Sequence, residues 1–241
     1  MKREVKLLIW GMGITLIVSV WGLERSSRIL LAPPLRVEDV EVNGCHLMDH
    51  QQILDAAAVP PRAPILKLDL KEIAWRVESL PWVRSCEVRR ILPSKLSFRI
   101  VERRPVALIH VGRLYYLDEN GTPFKEPSPG ETLNYPILTG WEDQWWEMSE
   151  GKELIQEALG LLKEVPNYPH LRRQGVSEIH LNETGELTIF TAKRGTMIIL
   201  GRVGGGFKLR RLEEVWKWIM TRHLPVKYIL CERPDRIVVG L

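Results

Sequence analysis

LPWVRSCEVRRILPSKLSFRIVERRPVA, residues 80–107, carries the pattern that decides the fold. Leu96, Phe98 and Ile100 alternate with Lys95, Ser97, Arg99 and Val101, the period of two that marks a half-buried strand. Cys86 and Val88 alternate in the same way with Glu87 and Arg89, and Leu92-Pro93-Ser94-Lys95 between the two runs has turn chemistry. The stretch reads as a β-hairpin with one apolar face that other elements must cover.

The elements that cover it precede it. Asp69 stands before Leu70, Ile73, Ala74, Val77 and Leu80 at helical spacing, with Glu72 at the reciprocal capping position and Pro81 as the stop. Asp49 and Gln52 repeat the capping pattern ahead of Ile53, Leu54, Ala57 and Ala58, and Pro60-Pro61 closes that helix. Val37–Val42, followed by Asn43-Gly44, reads as a strand ending in a turn. The order β, α, α, β, β over residues 37–105 is a two-layer domain, two helices on one face of a small sheet.

Farther back, the seventeen residues from Leu7 to Leu23 carry no charge and follow Lys2, Arg3 and Lys6. At about 1.5 Å per residue they reach roughly 26 Å as a helix, near the ~30 Å of a bilayer core once Lys6 and Arg25 extend to the interfaces. No small-x-small site follows at Trp21-Gly22-Leu23-Glu24, which favours an uncleaved anchor over a cleaved signal peptide. A short N-terminal tail stays in the cytoplasm and the long portion crosses largely regardless of charge. The expected organisation is a tail and transmembrane helix over 1–24, then a linker over 25–36 closed by Pro33-Pro34.

Past the hairpin the chain turns strand-rich. Ala107–Val111 and Leu114–Leu117 flank a Gly112-Arg113 turn, and Asp118-Glu119-Asn120-Gly121 and a proline-rich loop over 123–136 follow. A helix is expected over 152–165, strands over 178–181, 186–192 and 197–201 as an antiparallel meander, and a helix over about 207–220 that buries Leu209, Leu212, Ile219 and either Val215 or Trp216. Strands at 227–231 and 236–241 close the chain around Arg233-Pro234-Asp235. The class is α+β, and residues 106–241 form a mostly antiparallel β domain with two helices.

With 241 residues, 45% of them hydrophobic, the chain can build more than one core. Its 34 basic and 30 acidic residues are scattered without a polybasic arm, which argues against nucleic acid as the main partner. Cys45, Cys86 and Cys231 form no CxxC pair, and a Cys45–Cys86 bridge would need a Cα separation that spacing does not supply. Arg202-Val203-Gly204-Gly205-Gly206-Phe207-Lys208 lacks the Gly-Lys-Ser/Thr of a phosphate loop, and His46 and His50 lack the Glu of a zinc-protease helix. No catalytic residue, metal ligand or cofactor is read. Trp141, Trp145 and Trp146 in an acidic loop are either a binding patch or a loop pinned to its own domain. Ile237–Leu241 ends the chain without a polar tail; at a sheet edge it would offer unpaired backbone groups to a partner strand, and inside a sheet it would simply complete it.

Several motifs resemble one family. Pro81-Trp82-Val83 after the second helix, Val88-x-Arg90-x-x-Pro93 in the hairpin and Glu102-Arg103-x-Pro105-Val106-Ala107 at its exit are similar to the POTRA domain of the bacterial cell-division family FtsQ (DivIB). Leu117–Gly121, Pro136–Gly140, and Gly201 with Lys208-Leu209 and Leu212 resemble that family's second, β domain, so the likeness covers nearly the whole chain. Ile229-Leu230-Cys231-Glu232 departs from the family's usual Ile-Asp-Leu/Met-Arg. The resemblance implies a non-enzymatic scaffold of the divisome, single-pass (type II) in the inner membrane with its bulk extracytoplasmic, working at the septum. It implies FtsB-like and FtsL-like partners bound along Arg233, Arg236, Ile237, Val238, Val239, Gly240 and Leu241. The alternative is a POTRA-type chaperone or accessory of outer-membrane protein transport, which would be expected to carry several POTRA units.

Overall fold

Side-chain caps fix where the first helices begin. Asp49 accepts the Gln51 N–H at 3.2 Å while the Gln52 side chain accepts the Asp49 N–H at 3.3 Å, and α1 (His50–Ala57) starts there. Asp69 accepts from the N–H groups of Lys71 and Glu72 at the head of α2 (Leu70–Glu78), and the Glu72 carboxylate meets Arg76 at 2.7 Å. Arg76 also donates to the Ala57 carbonyl at 2.7 Å, satisfying the end of α1, where Ala58 is left-handed with φ 46°.

The computed structural model describes residues 35–141, 148–202, 205–231, 233 and 236–241, and the predicted span at 7–23 lies outside them. Among the described residues no helix is long and apolar enough to cross a membrane. The chain divides into two compact units, one of residues 35–78 with Ser85–Ile100, the other of Ser79–Arg84 with Val101–Leu241.

In the first unit, β1 (Asp39–Asn43), β2 (Val83–Ile91) and β3 (Lys95–Glu102) form a sheet in the order β1-β3-β2. β1 runs parallel to β3, with Val40 opposite Leu96 and Val42 opposite Phe98. β2 and β3 are neighbours joined by residues 92–94 alone, so they run antiparallel, as a short connection requires. The alternation holds: Leu96, Phe98 and Ile100 are buried together with Ile53 and Ala57 of α1 and Ile73 and Val77 of α2. The βααββ order is the observed one. Gly44, at φ +94°, ends β1 where a Cβ would stand 2.1 Å from the Ile100 carbonyl oxygen, so any side chain there would displace β3.

The second unit has a nine-stranded sheet in the order β12-β11-β10-β9-β8-β7-β4-β5-β6. Its strands are β4 (Pro105–Val111), β5 (Arg113–Asp118), β6 (Pro123–Lys125), β7 (Ile137–Thr139), β8 (Val176–Leu181), β9 (Leu187–Thr191), β10 (Met197–Gly201), β11 (Tyr228–Leu230) and β12 (Val238–Gly240). β8, β9 and β10 are the expected antiparallel meander. The pairs β7·β8 and β10·β11 are parallel, because helices intervene and a crossover returns the chain in its original direction, and β4·β7 is parallel with β5, β6 and the loop after them as the connection. Ile155, Ala158 and Leu159 of α3 (Ser149–Glu164) and Leu209, Leu212, Trp216 and Ile219 of the last helix pack on inward residues such as Ile109, Leu138, Ile179, Ile189, Ile198 and Ile229. Trp216, rather than Val215, takes the fully buried place.

Two elements correct the sequence reading. A third helix, α4 (Pro169–Gln174), lies between α3 and the last helix, α5 (Gly205–Thr221), where only two helices were expected. Its Pro169 sits in the first turn, where the missing N–H costs nothing, so the proline starts this helix instead of excluding it. β6 lies inside the proline-rich loop and runs along β5, with Pro123 as the first residue of an edge strand.

Asp118, 1% exposed, accepts from Arg103 at 2.8 Å and from the N–H groups of Asn120 and Thr122 at 2.9 and 3.0 Å. Arg103→Met leaves that carboxylate without its cation and is expected to lower unfolding free energy by about 3 kcal/mol, measured by urea denaturation.

Candidate functional site

The sheet ends at β12, and the hydrogen bonds of β11 decide how β12 is presented. The Lys227 carbonyl accepts from Met197 at 3.0 Å, and the Cys231 N–H donates to Ile199 at 2.7 Å, so the polar groups of Ile229 between them face β10, while the Lys227 N–H at the start of β11 donates to the Gly240 carbonyl at 2.9 Å. By alternation Tyr228 and Leu230 turn theirs toward β12, where they lie opposite Gly240 and Val238. Val239 between them therefore directs its N–H and C=O away from β11, and among the described residues no strand lies on that side.

The two faces of this edge differ. Ile229 is buried, and Val239 and Ile237 pack partly against the core. Val238 is 40% exposed and Leu241 59%. Val238 shares its face with Tyr228, Leu230, Met197, Ile199 and Phe190, all exposed or half-buried, which makes an apolar stripe leading to the edge. Gly240 is set by close approach: a Cβ there would stand 2.1 Å from the Tyr228 ring.

Of the residues expected to bind a partner, Val238, Val239 and Gly240 form the edge strand, with Ile237 and Leu241 flanking it and Arg236 exposed. Arg233 is also exposed, while residues 232, 234 and 235 lie outside the described ones. Sequence reading singled out neither Tyr228 nor Trp218. Trp218 is 44% exposed on α5, with the Arg222 guanidinium carbon 4.6 Å from its ring centroid. The available signal was its phase, since residue 218 falls off the stripe of 209, 212, 216 and 219.

Residues 35–103 match the POTRA domain, FtsQ-type, and residues 107–229 match the C-terminal domain of the cell division protein FtsQ/DivIB. The chain is 35% identical over 207 residues to the cell division protein FtsQ of Geobacter sp. (strain M21), covering 85% of this chain and 76% of that one. It is 36% identical over 206 residues to the FtsQ of Geotalea daltonii, covering 85% and 75%, and 29% identical to that of Myxococcus fulvus over 245 residues, 99% of this chain and 85% of that one. The chain belongs to the FtsQ/DivIB cell-division family. The match to the family's C-terminal domain stops at residue 229, so β12 lies beyond it.

The motifs that resembled the FtsQ family hold turns and strand ends within each unit. The Trp82 ring lies 5.5 Å from Tyr116 and 5.3 Å from Phe124, its carbonyl accepts the Arg103 N–H at 2.8 Å, and Val83 beside it is buried. Pro81 occupies the turn before them. Arg90 donates to the carbonyls of Ile65 and Leu68, and Pro93, after a cis peptide bond, forms the hairpin turn. Glu102, half-buried, ends β3, and Pro105 opens β4 opposite Asp118. At the family's Ile-Asp-Leu/Met-Arg position Cys231 is buried, and burial pushes its thiol up to about 11. All three cysteines are thiols, with Cys86 pushed up to about 12 by burial, then by Glu78 and Cys45.

Trp141 is buried in the core of the second unit, while Trp145 and Trp146 lie outside the described residues. Thr139 donates to Glu178 at 2.5 Å and contacts His180 Nδ1 at 2.9 Å. With its proton committed to the carboxylate, the hydroxyl accepts from the imidazole, the reverse of an activated nucleophile. Among the described residues no group of three or more His, Cys, Asp or Glu can hold a metal.

Glu131 clamps the loop over the Trp82 cluster by accepting from Lys125, the Ser128 N–H and Tyr116, and these bonds hold its carboxyl down to about 2. Its folded value lies below the unfolded one, so its stabilisation is complete above pH 4.5 and disappears as pH falls toward 2. Glu131→Gln is expected to be less stable than the parent at pH 7, with the gap closing toward pH 2 in urea titrations.

Proposed function

We propose that this chain is a non-enzymatic, bitopic scaffold of the divisome that links division proteins at the septum. Residues 7–23 anchor it in the inner membrane with the N-terminus cytoplasmic, and a partner strand of an FtsB-like or FtsL-like protein adds to β12. The observation that supports partner capture is that β12 closes the nine-stranded sheet with the backbone groups of Val239 turned outward. Main-chain bonds would supply the affinity, and the apolar stripe leading to Val238 would select the side chains of the added strand. Family membership favours division over the outer-membrane transport alternative, and one POTRA unit matches where a transport accessory would carry several.

Val238→Glu places a charge on the face that the added strand must cover. It is expected to weaken capture of an FtsB-like partner at least about tenfold, roughly 1.4 kcal/mol, with an unchanged circular dichroism spectrum. Unchanged binding by the folded variant would sink strand addition. For topology, alkaline phosphatase fused after Leu241 is expected to be active, and a fusion active only with a cytoplasmic reporter would refute the orientation.

A further inference from the structure

We infer that one end of the first unit seats on the lipid bilayer, through Leu35, Leu66, Ile91 and Leu92, beside the point where the chain arrives from its anchor. The inference rests on the anchor proposed for residues 7–23.

Backbone bonds bring these four residues to the same end of the unit. The Ile65 N–H donates to the Leu35 carbonyl at 2.8 Å, which sets Leu66, next in the chain, beside the segment that enters the unit. The Glu38 N–H donates to Ser94 at 2.8 Å, which sets the 92–94 turn against the start of β1. Arg90 closes the group from β2 by donating to the carbonyls of Ile65 and Leu68. Leu66 is 64% exposed, Leu92 58%, Ile91 46% and Leu35 37%, although each has an aliphatic side chain that gains by leaving water.

A lipid surface is the occupant the surroundings select. Arg36, Arg62 and Lys67 are exposed beside the four apolar residues, and the Arg36 guanidinium donates to the Arg62 carbonyl at 2.9 Å. Aliphatic side chains rimmed by long cationic ones suit the boundary between acyl chains and anionic headgroups. Glu38 and Asp39 are also at this end, and Asp39 is met by Lys95 at 3.4 Å. The eleven residues 24–34 span at most roughly 38 Å when fully extended, so the tether keeps Leu35 within reach of the membrane.

The test uses the full chain in vesicles of phosphatidylethanolamine and phosphatidylglycerol, with Cys45→Ser to leave only buried native thiols. An environment-sensitive fluorophore is attached at Leu66→Cys or Leu92→Cys, with Asp55→Cys on α1 as reference. The first two labels are expected to shift to the blue and be quenched by nitroxide-labelled acyl chains, and to lose part of that quenching when phosphatidylcholine replaces phosphatidylglycerol. The Asp55 label should keep its aqueous emission. Labels at 66 and 92 that match the Asp55 label, in vesicles that retain the chain after alkaline carbonate, overturn the seating while the anchor stands, and leave this end for a protein partner. Extraction by carbonate overturns the anchor and the seating together. Ile91→Cys reports the same surface if either labelled variant loses its circular dichroism spectrum.

Discussion

The Asp118 carboxylate is almost wholly withdrawn from water, and a charge in that position is tolerated only if it is paired and both its oxygens accept hydrogen bonds. Arg103 and the N–H groups of Asn120 and Thr122 engage them. Because Arg103 comes from the exit of the hairpin and Asp118 from the end of β5, this one pair fixes where the hairpin strand stops and how the next hairpin turns. The Arg103 N–H then holds the Trp82 carbonyl, and the Trp82 ring joins Tyr116 and Phe124. The short segment 79–84 is thereby folded into the second unit, although it precedes most of the hairpin.

From that junction the second sheet grows in both directions, and its ends follow from how the chain is connected. Helical crossovers put β8 parallel to β7 and β11 parallel to β10, so each addition moves the growing edge outward. The chain then turns back once, as β12, which runs antiparallel to β11. Natural edges are commonly blunted by charge or proline. Here the edge strand is short, yet it presents valines, and the face beside it is apolar from Phe190 to Val238.

Much of the fold was legible because it follows from local chemistry. Period-two alternation identified Leu96, Phe98 and Ile100, and capping residues located the starts of α1 and α2 within a residue. β6 was missed because its stretch was read as a proline-rich loop, whereas proline at the first position of an edge strand loses no hydrogen bond, and α4, six residues opening on Pro169, is too short to show a helical period. The edge was legible only as a pair of alternatives. Tyr228 and Gly240 are twelve positions apart, and nothing in either residue's neighbourhood says that one ring will lie over the other's Cα; strand register alone brings them together.

The sequence by itself determined the βααββ order of the first unit, the strand-rich second unit and the family motifs, since periodicity, caps and turns act over a few residues. Which strand would stand last in the sheet was decided only by the tertiary structure, as were the outward turn of Val239's backbone and the gathering of Leu35, Leu66, Ile91 and Leu92 at one end. Those arrangements depend on strand order and long-range hydrogen bonds, which are settled by the packing of each unit's own core. The hairpin at 80–107, the most recognisable stretch of the chain, gives residues 85–100 to one unit and 80–84 with 101–107 to the other, and the open edge lies more than a hundred residues beyond it.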